Sequence, residues 1–106
     1  MTFQEFQKQN FNYTCITTFW DDFTIADHFG TREVQDTFDT ALNEWKHDYK
    51  YITELAIVTN HKAWQHYHQK NTQLSDLYSE LYHKVRQFAA ENMSKKEFDY
   101  FYRITD

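Results

Sequence analysis

Two tetrads in this chain have the residue types and spacing for metal chemistry: Glu44-Trp45-Lys46-His47 and Glu80-Leu81-Tyr82-His83. On a helix, a carboxylate and an imidazole three residues apart share a side. Two such pairs, with a glutamate from each of two other helices, form the ligand set of di-metal carboxylate bundles. Glu54 could supply one further ligand. The chemistry demands that every ligand project into the bundle interior. At about 100° per residue they do not. Glu80 and His83 fall roughly 130° and 170° from the centre of their apolar stripe, and Glu44 and His47 roughly 100° and 160° from theirs. Glu54, His61 and His68 recur every seven residues and read as one solvated polar stripe. Glu44, His47, Glu54, Glu80 and His83 are therefore rejected as metal ligands, and no cofactor is expected. His61, His66 and His68 have spacings of five and two, which is not the i, i+4 pair of a zinc-binding helix.

Other chemistries find less support. Residues 61–70, HKAWQHYHQK, interleave Lys and His with Trp64 and Tyr67 and hold no acid, and Lys84 and Arg86 could lie nearby. Such a pattern can bind single-stranded nucleic acid. Trp64 and Tyr67 also fall on or beside an apolar helical face, where core packing explains them, and the acidic balance of the chain opposes phosphate binding. Cys15 has no charged neighbour or paired His in sequence and reads as a small packed hydrophobe. Gly30 is the single glycine, so no glycine-rich phosphate loop exists, and no G-x-S-x-G nucleophile elbow is present. Asn60 falls within the apolar face of its helix, where a buried amide must be satisfied, and is expected to tie two helices together.

The elements that would position these residues are helices. One glycine and no proline leave little scope for β-hairpins. With 41% apolar residues, and with Phe, Tyr and Trp making up 20% of the chain, 106 residues can bury one core. The expected fold is all-α: a compact bundle of four main helices plus a short C-terminal helix, in one domain over residues 18–106. Residues 1–17 form an uncertain lead-in, with a short helix around Phe3, Phe6 and Gln9-Asn10-Phe11 and an extended Thr14–Thr18. The bundle is organised around Tyr49–Tyr67, YKYITELAIVTNHKAWQHY. There Tyr49, Ile52, Ala56, Ala63 and Tyr67 recur with helical spacing, widened by Ile57 and Trp64. Leu55 and Val58 wrap the back, which marks an interior helix.

The remaining helices follow from caps and stripes. Thr18 caps a first helix, Phe19 to Phe29, lined by Phe19, Phe23, Ala26 and Phe29. Gly30 stands where a left-handed residue would end it. Arg32 to about Asp48 forms the second helix, with Val34, Phe38, Ala41, Leu42 and Trp45 inward. Asn71 or Thr72 caps the fourth, which runs to about Asn92. Ser94 and Glu97 form a capping box for Lys95 to Tyr102.

Charge is uneven. Residues 1–59 hold four Lys/Arg and ten Asp/Glu, or −6, and residues 60–106 hold seven and six, or +1. The acidic half is a solvated surface or, in a sharper reading, a face built on Asp21, Asp22, Asp27, Asp36 and Asp39 that meets a basic partner or mimics nucleic acid. No leader pattern and no membrane span are expected, and one cysteine gives no internal disulfide, which fits a cytoplasmic protein.

The stretches TFWDDFTIADHFG, YKYITELAIVTNHKAWQHY and FDYFYRITD resemble small proteins encoded on conjugative and other mobile elements of Bacteroidales gut bacteria. The resemblance covers about Thr18 to Asp106. Its motifs are aromatic-aliphatic core patterns and Asp-rich caps, which specify a fold rather than a reaction, so no catalytic residues carry over. It implies a cytoplasmic accessory protein. Together these readings point to a small non-enzymatic protein-interaction module, with a homodimer as its simplest form. The alternatives are a metal-binding bundle and an acidic regulator of a basic protein.

Overall fold

A computed structural model describes residues 14–105, with side chains from residue 18 onward. Five helices follow in order among the described residues: α1 Thr14–Asp27, α2 Thr31–Trp45, α3 Tyr49–His68, α4 Thr72–Asn92 and α5 Lys95–Thr105. The all-α bundle of four main helices and a short last one is therefore present. The expectations for Phe3, Phe6 and Phe11, and for the Cys15 side chain, lie outside the described residues.

Helix boundaries follow local chemistry closely. Asp48 caps α3, its carboxylate accepting from the Lys50 and Tyr51 amides at 3.0 and 3.3 Å. Asn71 caps α4 through the Leu74 amide. The capping box is complete: the Ser94 amide donates to Glu97 Oε1 at 2.7 Å and the Glu97 amide to Ser94 Oγ at 3.2 Å. Between α3 and α4 the Asn71 amide reaches the His66 carbonyl and the Lys70 amide the Tyr67 carbonyl, with Lys70 left-handed at φ 61°. That is a Schellman ending with lysine in the place glycine usually takes.

Several local expectations need correction. Thr14–Thr18 is helical, not extended, and Thr18 lies inside α1 rather than capping it. β-branched preference is weak, and packing of the helix overrides it. The helix also stops at Asp27, so Phe29 sits in the corner and is 74% exposed. Gly30 has positive φ, but at φ 113°, ψ −173° it is extended in ψ rather than left-handed helical. This region is open essentially to glycine alone. It turns the chain sharply enough for α2 to begin at Thr31. At the other end, α5 runs on to Thr105 because the Tyr82 hydroxyl donates to the Thr105 carbonyl at 3.2 Å and holds the final turn against α4.

The core centres on α3, which touches α1, α2, α4 and α5 and packs most extensively on α4. Ile52, Leu55, Ala56 and Val58 are buried against Phe23, Val34, Phe38, Tyr78, Leu81 and Val85. The interior placement of this helix is thus as expected, but its inward line is not. The buried positions run Ile52, Leu55, Thr59, Lys62, His66. Ala63 is only half-buried, and Trp64 and Tyr67 are 57% and 64% exposed. Apolar residues alone set the inward face too far round the helix in its C-terminal half.

Two tests follow. Gly30→Ala leaves open space around the new methyl but strains the backbone, so a loss of about 1–3 kcal/mol is expected in urea denaturation. Wild-type stability in that variant would show that the corner relaxes freely. The Ser94 amide holds the Glu97 carboxyl below its usual range, against an opposing push from burial, with help from the Ser94 and Tyr49 side chains. A carboxyl lowered in the folded state contributes stability fully above its unfolded pKa and loses it as pH falls through the folded one. The stability gap between wild type and Glu97→Gln should therefore close on acidification through that window, read from urea melts across pH.

Candidate functional site

Asp27 ends α1 facing the C-terminal half of α3 and the N-terminal half of α4. Its Oδ2 accepts from Lys62 Nζ at 3.1 Å and lies 2.9 Å from His66 Nε2. A carboxylate can only accept, so that histidine nitrogen carries the proton. Oδ1 accepts from the Tyr78 hydroxyl. The ammonium of Lys62 also donates to Thr24 Oγ1 at 2.7 Å and sits 4.2 Å above the Trp20 ring. Thr24 passes its own proton to the Trp20 carbonyl. The His66 ring stacks on Tyr78 at 5.5 Å and 6°, and Phe23 meets Tyr78 edge-on at 5.4 Å.

These groups have the types of an acid–base site, but most of them are enclosed. Lys62 and Tyr78 have no exposed surface and His66 has 5%. Burial pushes the Tyr78 phenol far above its ordinary pKa, and the hydrogen bond and charge of Asp27 push it further. It stays a donor and cannot act as a base. None of Asp27, Lys62, His66 and Tyr78 lines the four grooves seen among the described residues. The network joins three helices, and of these four groups the Asp27 side chain, 12% exposed, reaches solvent most.

The metal candidates do not assemble. Glu44, His47, Glu80 and His83 are exposed, as the angular argument expected. Glu54 corrects that argument, because it is completely buried rather than on a solvated stripe. The five consecutive residues Ile52–Ala56 are all buried, since neighbouring helices enclose this part of α3 and leave it no polar side. Removing Glu54 is therefore no surface change. Among the described residues no three His, Cys, Asp or Glu side chains converge as a metal site. Asn60 is half-buried in a groove beside Trp64 and Tyr67, and none of the side-chain hydrogen bonds tying α3 to another helix involves it. The nearby tie comes from Ser75 Oγ, which donates to the Ala63 carbonyl at 3.0 Å.

Two open surfaces stand out among the described residues. On α3, Trp64, Tyr67 and His68 form an aromatic cluster, with Trp64 edge-on to Tyr67 at 5.8 Å and stacked on His68 at 6.2 Å. A groove of about 400 Å³ runs beside it towards Tyr82 and His83 of α4. Between α1 and α2 lies a larger groove of about 570 Å³, with Phe19, Phe23 and Ala41 beneath it and Asp22, Glu33, Asp36 and Glu44 around it.

Sequence reasoning missed Lys62 and His66 as interior residues. A signal was present: they lie four apart and continue the Ile52–Leu55–Thr59 line. Their partners, however, are 35 to 39 residues away.

The network predicts its own mutational signature. Lys62→Met leaves a buried carboxylate short of its cation and should cost about 3–5 kcal/mol. Asp27→Leu with Lys62→Met removes both charges and should cost clearly less than the two single changes added together. Urea denaturation of the full cycle measures this. Additive losses would show that the pair is not coupled.

No family model, curated protein or solved structure matches this chain, so its function has to be argued from its own residues.

Proposed function

We propose that this chain is a small non-enzymatic protein-interaction module. The observation that carries the reading is the inversion of α3, which buries Lys62 and His66 and leaves Trp64 and Tyr67 in water. Burying a lysine and exposing a tryptophan on one helix both oppose folding of the isolated domain. The arrangement is reasonable where the exposed aromatics are buried against something else. Trp and Tyr are enriched at interface centres, and the Trp64–Tyr67–His68 cluster beside its groove has that form. The acid–base residues that could argue for an enzyme are enclosed and held by one another.

A homodimer through this face is the simplest version, because one self-complementary patch serves both copies. Together with the resemblance to Bacteroidales mobile-element proteins, the reading becomes that of an accessory protein of such an element. No described helix is long and apolar enough to cross a membrane.

A photo-crosslinking amino acid at Trp64, with a control at exposed Glu91, tests the reading in producing cells. A discrete adduct from position 64 alone is expected, lost when Tyr67→Ser is added. An adduct of twice the chain mass identifies a dimer, and another mass identifies a partner. No adduct, or equal adducts from both positions, would overturn the proposal. Tyr67→Ser itself should change stability by less than about 0.5 kcal/mol, because the side chain is mostly exposed.

A further inference from the structure

We infer that the groove between α1 and α2 is a second docking site, and that its occupant is a cationic amphipathic helix of a partner protein. The inference takes from the proposed function only that the chain is a binder; the residues that carry it are different. The groove lies over Phe19, Phe23 and Ala41, which are themselves buried, and its open apolar surface is Ile25, 59% exposed, with the half-buried Trp45. Ile25 and Trp45 together give a ligand apolar surface to cover beside a ring of charge.

The charge around that surface is of one sign. Asp22, Glu33, Asp36 and Glu44 are all exposed, and among the described residues no Lys, Arg or His lines the groove. The ion pairs of Lys62 and His66 both end on Asp27, so neither supplies a cation to these four carboxylates. A ligand that covered the apolar surface without bringing positive charge would leave them facing one another in a drier environment. Charge complementarity therefore selects a cationic ligand.

Spacing selects its shape. On α2, Glu33, Asp36, Thr37, Thr40 and Glu44 fall on one side of the helix at intervals of three, one, three and four. From Glu33 to Glu44 the groove extends about 16 Å along the axis, or three turns. A partner helix laid along it would present Lys or Arg at the same helical intervals, with its apolar stripe on Ile25 and Trp45. An extended peptide gains less here, since no strand edge exists among the described residues to pair with its backbone.

The test uses three synthetic peptides of about fifteen residues, each stapled to hold a helix because isolated helices this short are marginal. One has a leucine stripe and a lysine face. The second has the same composition scrambled so that the stripe is lost. The third has glutamate for lysine. Fluorescence anisotropy against the full chain should show saturable binding of the first, weaker by about tenfold or more for the other two and at raised salt. Glu33→Lys with Asp36→Lys should weaken the first peptide by a similar factor. Both positions are exposed, so circular dichroism should show an unchanged fold. Equal binding of the scrambled peptide, unchanged affinity in the double variant, or no saturable binding overturns the inference. Trp64 and Tyr67 are untouched by these changes. A position-64 adduct that persists while the peptide fails removes the groove site alone, and peptide binding without that adduct removes the aromatic face alone.

Discussion

A lysine ammonium without solvent exposure must find its counter-charge inside the protein, and in this bundle that requirement is met at one carboxylate. Asp27 receives Lys62 and His66 from α3 and Tyr78 from α4, while Thr24 and Trp20 of α1 complete the lysine's surroundings. Removing charge from water is costly, and only good geometry with further hydrogen bonds offsets it. The geometry here is available in one arrangement of three helices. Aliphatic ridges such as Leu55 and Val85 can repack after a small slide, because dispersion contacts are not directional. A carboxylate shared by donors from two helices cannot, since a shift of one turn would carry Lys62 and His66 away from it. The end of α1, and with it the corner at Gly30 and the placement of α2, depends on that contact.

The same requirement explains where the apolar pattern misleads. In its N-terminal half α3 is enclosed on nearly every side, so even Glu54 is interior. In its C-terminal half the inward positions belong to Thr59, Lys62 and His66, and the aromatic residues turn outward. Thr59 is accommodated by its hydroxyl, which donates back to the Leu55 and Ala56 carbonyls at 2.9 and 3.1 Å. Thr53 and Thr105 bond back to their own helices in the same way, and Lys62 is met from α1, whereas the outward aromatics have no such compensation.

What the sequence discloses therefore divides by distance along the chain. Asn71 and Ser94 with Glu97 act on residues within four of themselves, and their roles could be read before any coordinates. Gly30 was legible as a corner but not in its backbone angles, and Asp48, read as the end of α2, proves to cap α3. The stripes of α2 and α4 were equally legible, because Val34, Phe38, Ala41 and Leu74, Tyr78, Leu81, Val85 have no polar competitors on their faces. Asp27 could not be placed. Its donors lie far along the chain, and a helix-terminal aspartate looks the same in sequence whether it faces water or a buried lysine. Reading α3 by hydrophobicity alone then set Ala63, Trp64 and Tyr67 inward and Glu54 outward. The aromatic cluster and the acidic groove, which carry the functional argument, are visible only once those faces are set correctly.

The interior and the surface treat carboxylates in opposite ways. Inside, one aspartate is given three donors. Along the α1–α2 groove, four are left without a cation although Arg32 and Lys46 stand at the ends of α2. Like charges three or four residues apart on a helix are mildly destabilising, and a concentration of one sign opposes the compact state more broadly. The N-terminal half carries most of this load, at a net −6 over residues 1–59 from four basic and ten acidic residues. Neutralising partners were available to the chain, since its C-terminal part holds seven Lys and Arg, yet the fold directs none of them to the groove. A surface that keeps its repulsion and lays it beside open apolar side chains is less stable empty than covered by positive charge. That difference in stability is the free energy from which an association can be driven.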